Sequence, residues 1–340
     1  MWKFLIKRLL LALFQIIFLV VAVFFLIRLL PADPVSRFVG MNASKEAYLQ
    51  AEMSLGLDRP ISIQFKGFLL GDENTQGLIR FDLGNSWVSG EEVTEEIKKF
   101  LPVTLELITL AFFFAAGISI PVGLWGAANP GGIADKGTMV YGLFAGSQPE
   151  FSWGILFIFI FFVYFGIAPG PLGRLSPLTE APIVITGAIT IDAILAGRFD
   201  ILLEALWYLA LPVLTLSFVL SGPIIKMVRE NLIQALQADY ILYARASGIS
   251  SMRVARDALR VSISPTITLI GILFGYMIGG AVLIERIFSI SGIGQYSINS
   301  ILAFDYPAIQ GVVLTISSIT LLIFLIVDIL HALVDPRIKL

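Results

Sequence analysis

Six stretches of this 340-residue chain run for nineteen residues or more with no basic side chain and, with one exception, no acidic one. They are residues 9–27, 107–128, 138–165 (interrupted by Glu150), 205–225, 261–284 and 306–327. About 20 consecutive apolar residues carry a helix across roughly 30 Å of hydrocarbon. In lipid the backbone polar groups of a spanning segment must be paired within the protein, so such runs fold as helices. The expected fold class is therefore all-α, a polytopic membrane protein with six transmembrane helices. A seventh stretch, 181–197, is short and holds Pro182, Gly187 and Asp192. It reads as a segment at the interface or packed on the bundle.

Composition agrees: 57% of residues are apolar and 14% charged, against about 45–50% and about 25% in soluble domains. The first run exceeds a signal-peptide h-region and is followed by "RLLPADP" instead of a small-residue cleavage site, so it is expected to stay as a helix. Six spans place both termini on one side, and short-loop Lys/Arg bias names the side. One set of loops collects twelve basic residues, among them Lys7, Arg8, Arg229, Arg253, Arg256, Arg260, Arg337 and Lys339, whereas the opposite short loops hold Arg174, Arg198 and Arg286. Both termini are thus expected in the cytoplasm of a multi-pass cell-membrane protein. The expected divisions are 1–30 (N-terminus and first span), 31–100 (a partly helical external insert) and 101–340 (five further spans, with a polar cytoplasmic loop at 229–264).

Several chemistries are excluded. The chain has no Cys and a single His331, which removes disulfides, thiolate metal sites, thiol nucleophiles and a Ser-His-Asp arrangement, and leaves no partner for a histidine zinc site. A net charge of −2 lacks the basic excess of a nucleic-acid surface. No G-x-x-x-x-G-K-[ST] phosphate loop occurs; "GGIADKGT" has neither the spacing nor the context. A secondary transporter would show repeated halves and buried coupling acids, and an intramembrane enzyme would show a clustered nucleophile or paired acids in its spans.

The polar loop "DYILYARASGISSMRVARDALRVSISP" (239–265) reads as part of two short helices broken at Ser247-Gly248, where Gly permits a left-handed turn, with Ser250 or Ser251 capping the second. Leu232, Ala235 and Leu236, followed by Tyr240 and Tyr243, suit an apolar ridge seated in a protein groove. The same loop also suits a basic surface resting on anionic lipid heads, with Arg253, Arg256 and Arg260 snorkelling. Both readings stand on spacing alone.

"DYILYARASGIS" resembles the cytoplasmic loop of ABC importer permeases. "FFLIRLLPADPV", "LGLDRPISIQF", "RFDLGNSWVSGEEVTEEIKKFLPVTLEL", "LPVLTL", "GGAVLIERIFSISGIGQYSINSILAFDYPAIQGVVL" and "DILHALVDPRIKL" extend the resemblance, in order, along essentially the whole chain. The chain is identified as a member of the dipeptide/oligopeptide importer family, B-type permease. The resemblance implies a type I importer permease fold with the insert after the first helix. It also implies a second homologous permease, two ATPase subunits that bind ATP and Mg, and a solute-binding protein on the far side, so the chain itself needs no cofactor and is not an enzyme. Peptides are the implied substrate, with oligosaccharides or nickel chelates as alternatives. Asp239, Tyr240, Ala244, Arg245 and Gly248 are the implied ATPase contact. Where many permeases carry Glu-Ala-Ala, this chain has Leu242, Tyr243 and Ala244.

Glu150 and Pro149 are the candidates for the translocation pathway. A lone ionisable group inside a span marks function or a buried partner. At about 1.5 Å per residue Glu150 lies about 18 Å along a helix from Thr138, near the midplane, and Pro149 should break that helix. Glu150 could meet a cationic substrate group such as a peptide amino terminus, or be a structural pair or a protonated buried acid. Glu106 and Arg28, at helix ends, read as snorkelling residues. Gly275, Gly279 and Gly280 read as a close-packing face, and Gly292 and Gly294 as a compact turn.

Overall fold

The computed structural model describes residues 2–29, 33–40, 42–72 and 75–334. Arg337 and Lys339, counted in the charge bias, lie outside the described residues, as do residues 30–32 between the first span and the insert. The first apolar run forms α1 (Trp2–Leu29), followed by three short helices, α2 (Pro34–Val39), α3 (Lys45–Ser54) and α4 (Ile61–Leu70), and a 3-10 turn at Leu78–Arg80. The rest comprises α5 (Val93–Ala128), α6 (Ile133–Ala145), α7 (Glu150–Phe157) continuing as a π-helical stretch Ile158–Tyr164, α8 (Ile189–Leu195), α9 (Phe199–Gln237), α10 (Asp239–Ala246), α11 (Ser251–Ile287), α12 (Ile293–Ala303) and α13 (Tyr306–Val334). The fold is all-α.

Local sequence starts these helices. Asp33 accepts hydrogen bonds from Val35 N (3.0 Å) and Ser36 N (3.1 Å) with Pro34 at the first helical position of α2, so the orphan amides of that helix end are satisfied. Ser44 does the same for α3 through Ala47 N at 3.2 Å.

Among the described residues, five helical segments are long and apolar enough to cross a membrane: Ile6–Leu29, Val93–Ala128, Phe199–Gln237, Pro265–Ile287 and Tyr306–Leu330. The expected sixth, 138–165, is two helices. Ile133–Ala145 and Glu150–Tyr164 meet at 98°, because Pro149 cannot join the preceding helix and holds an extended backbone, φ −60° and ψ 152°. The break at Pro149 is as expected, but a continuous rise from Thr138 does not exist, so the depth of Glu150 has to be read from its neighbours.

The loop after α9 also differs from expectation. α9 runs on to Gln237, only α10 is a separate short helix, and the second predicted piece is the first turns of α11, which passes residue 265 unbroken. A proline removes one backbone donor, and within a span neighbouring helices absorb that loss.

Packing centres on α5 and α9, with α7 and α11 against them. Leu107, Leu209, Leu216, Ile224, Met277 and Ile284 lie at this core. Lipid tails are as apolar as leucine, so helix association here rests on close contact and hydrogen bonds. A Cβ on Gly222 would stand 3.2 Å from the Gly142 carbonyl oxygen, and beside it the Tyr141 and Ser221 hydroxyls meet at 2.5 Å. The stretch 181–197 packs on the bundle through α8 against α9. α1 leans chiefly on α13, with Val23, Ile27, Tyr306 and Ile309 buried between them.

Buried carboxylates pin the connections. Asp305, 2% exposed, accepts from Ser86 Oγ (2.5 Å), Trp87 N (3.2 Å) and Ala308 N (3.2 Å), fastening the end of the insert to the start of α13. Glu285, wholly buried, accepts from Thr104 Oγ1 and from Gln295 N at 3.0 Å; Thr104 Oγ1 in turn accepts from Ile293 N at 2.8 Å. The "SGIGQ" turn is thus built around a carboxylate.

Glu106 corrects the snorkelling reading. It is 6% exposed, pairs with Arg174 Nη1 at 2.7 Å and accepts from Thr190 N (2.7 Å) and Thr190 Oγ1 (2.6 Å). Residues 68 and 84 positions away supply these partners, so a local reading could not find them. Nearby, burial alone would raise the Asp192 carboxyl, but donors from Thr186, Ile185 and Gly187 outweigh it and hold its pKa below the ordinary value.

Candidate functional site

The polar loop folds into an elbow whose base is buried and whose outer surface is apolar. Gly248 takes φ +76°, a left-handed conformation open to glycine at little cost. Its N–H bonds Arg245 O at 3.0 Å while Ile249 N bonds Ala244 O at 3.1 Å. Ser250 stands at the N-cap position of α11 but accepts no capping bond, so that expectation fails.

Beneath the elbow Ile241 is fully buried with Leu232, Ala235, Val254, Ala258 and Ala127, and Leu236 and Ala244 pack on the same cluster. The expected ridge of Leu232, Ala235 and Leu236 therefore faces inward. Outward are Tyr240, Leu242, Tyr243 (76% exposed), Ile249 and Met252 (75% exposed). Asp239, Arg245 and Gly248 share this exposure. The base is tied sideways: Arg229 near the end of α9 pairs with Asp135 at the start of α6, and Asp135 also accepts from Gly131 N at 2.7 Å.

A second constellation sits on a partly exposed side of the bundle, with Glu150 half-buried and Tyr276 58% exposed. Glu150, the first residue of α7, neighbours the Tyr276 hydroxyl, and its Oε1 lies 3.0 Å from the place of a Cβ on Gly280. Tyr276 stands midway along the apolar segment Pro265–Ile287, which returns Glu150 to the central depth by a different route. Among the described residues no cation lies within ion-pair distance of Glu150. Ile272, Tyr276 and Leu283 form an exposed face of α11 at helical spacing, with Gly279 among them and nothing within 4 Å of its Cβ position. Of the other glycines, Gly275 packs on Thr320 and Phe324 of α13, so the three do not share one packing partner.

Residues 119–340 match the family described as "Binding-protein-dependent transport system inner membrane component", and residues 1–108 match "Binding-prot-dependent transport system membrane comp, N-term". The chain belongs to this family of permeases. The dipeptide transport system permease protein of Escherichia coli (strain K12) is 33% identical over 100% of this chain and 99% of its own length. The di/tripeptide transport system permease protein of Pseudomonas aeruginosa (strain UCBPP-PA14) is 35% identical over 93% and 92%. A dipeptide permease of Alkalihalophilus pseudofirmus is 34% identical over 98% of both chains. Within the family the chain is of the dipeptide/oligopeptide type, a polytopic membrane protein.

In the permease, Pro149 ends the bend and Glu150 opens the helix that follows it, so the two candidates are adjacent at one joint. Of the elbow candidates, Asp239, Tyr240, Arg245 and Gly248 lie on the outside, whereas Ala244 turns toward the base. Tyr243 was part of the expected ridge, whereas Leu242, Ile249 and Met252 were missed as outward residues. The signal was present: Leu242, like Tyr243, is a large apolar residue in a loop that otherwise favours charge. Glu285 was missed too, although an acid directly before a Gly-rich turn offers a carboxylate to free backbone donors.

Proposed function

We propose that the permease is one half of the membrane pathway of an ATP-driven peptide importer, and that α10 is where separate ATPase subunits grip it. The observation that carries this reading is the elbow: Tyr240, Leu242 and Tyr243 are exposed on a short helix, Ile249 and Met252 just beyond it, and the other side of that helix is packed into the bundle. A short helix with an apolar outer surface and charged rim suits a groove in a protein partner. A rigid base lets a displacement of that partner reach α9 and α11, as coupling between two states requires. ATP and Mg belong to the ATPases. A second homologous permease completes the pathway, a solute-binding protein delivers peptide from the opposite side, and the elbow and both termini face the cytoplasm of the inner membrane. Glu150, next to Pro149, lines the pathway and meets the cationic group of a passing peptide.

The test is ATP-dependent dipeptide uptake into proteoliposomes containing the permease with its partner permease, ATPases and binding protein. Tyr243→Ala with Leu242→Ala, both exposed and so harmless to folding, should abolish uptake and detach the ATPases. Retained coupling would favour the lipid-surface reading of the loop, and uptake without ATPases would indicate a secondary transporter.

A further inference from the structure

A cavity of about 510 Å³ opens between the insert and the start of α13, lined by Arg28, Arg59 and Lys66 together with Trp87 and Gln310. Two carboxylates also line it, but each is turned to its own loop: Asp82 accepts from Gln76 N (2.6 Å) and Gly84 N (2.8 Å), and Asp72 from Thr75 N (3.1 Å). The half-buried Arg28 guanidinium lies 3.6 Å over the Phe24 ring and donates to Gln64 Oε1 (2.8 Å) and Phe24 O (3.3 Å). Both acceptors are neutral. Among the described residues no carboxylate reaches ion-pair distance of Arg28. Asp33, which lines the neighbouring cavity with Arg28, is occupied by Val35 N, Ser36 N and the Tyr48 hydroxyl.

A cation withdrawn from water without an opposite charge is costly, so this cavity calls for an anion. Its depth points to the kind. Arg28 directly follows the apolar run of α1, at the level where a bilayer carries its phosphates, and an arginine fork suits phosphate oxygens. The same α1–α13 seam carries a groove of about 270 Å³ lined by Gln15, Phe18, Leu19, Ser317, Thr320 and Leu321. Leu19 is nine residues from Arg28, about 14 Å along the helix, close to the roughly 15 Å of one leaflet. α1 and α13 are also the spans least covered by protein, with 17% and 11% of their most apolar windows buried.

We infer that the cavity binds the phosphate of a membrane phospholipid, with Arg28 as its principal counter-charge, Arg59 and Lys66 closing around it, and an acyl chain in the α1–α13 groove. The test is native mass spectrometry of the full-length, delipidated chain titrated with dioleoylphosphatidylglycerol, dioleoylglycerol or inorganic phosphate. One phosphatidylglycerol should bind preferentially. Arg28→Gln should weaken it about tenfold or more, and Arg28→Lys, which keeps the charge, about threefold or less. If Arg28→Gln fails to fold, Arg59→Gln with Lys66→Gln, both exposed, should weaken binding several-fold. Equal binding of dioleoylglycerol, unchanged affinity in the variants, or displacement of the lipid by equimolar inorganic phosphate or by a dipeptide would each overturn the assignment.

Discussion

The Tyr276 hydroxyl neighbours the Glu150 carboxylate halfway along the apolar segment of α11. This neighbour is neutral, and among the described residues no cation lies within ion-pair distance of the acid. Glu150→Gln should lower uptake of peptides with free amino termini by about tenfold to a hundredfold, the scale of one lost charge-assisted hydrogen bond, and should affect amino-acetylated peptides little. Initial uptake rates for the two peptide classes check this, and a variant matching the parent at every pH would remove Glu150 from the pathway.

Truncating Arg174 leaves the buried Glu106 carboxylate with the Thr190 donors but without its cation. Arg174→Met should cost about 3–5 kcal/mol, and replacing both partners, Glu106→Met with Arg174→Met, should recover much of it. Thermal melting in detergent separates the two variants. Equal melting of the single variant and the parent would mean the pair does not fasten α5 to the segment that carries Arg174.

Asp305 does two jobs, capping α13 and holding the loop at residues 86–88. Asp305→Ala should cost about 1–3 kcal/mol and expose that loop to protease. Limited proteolysis should cut near Trp87 in the variant before it cuts the parent.

Tyr296 donates to Glu96 at 2.5 Å, and burial, reinforced by that acid, raises its pKa above the ordinary 10.0. A raised phenol contributes stability that is complete below the unfolded pKa and declines as pH climbs past it. Stability should therefore fall above about pH 10, and more shallowly in Tyr296→Phe. Melting curves across the alkaline range read the difference in slope.

Spans were legible because lipid imposes a length of apolar sequence and leaves little else to decide. The break at Pro149 was legible for the same local reason. Its angle was not, since it depends on what α6 and α7 meet on α9: Gly142 against Gly222, and Trp153 against Phe218 at 4.8 Å between ring centroids. In the elbow, Leu232 and Tyr243 carry similar apolar signals; only the arrival of Val254 and Ala258 from α11 decides which is covered. Glu106 and Glu285 depend on partners from distant segments, so their pairing was out of reach of spacing.

The continuity of α9 and α11 on either side of α10 has a mechanical outcome. At 39 and 37 residues they are lever arms of about 58 and 55 Å, joined at one end by Ala238, the eight residues of α10 and a four-residue bend. Swinging both by about 5° would carry their far tips about 5 Å, enough to open or shut a passage for a side chain, so a small displacement applied at the crank would be amplified along the two helices.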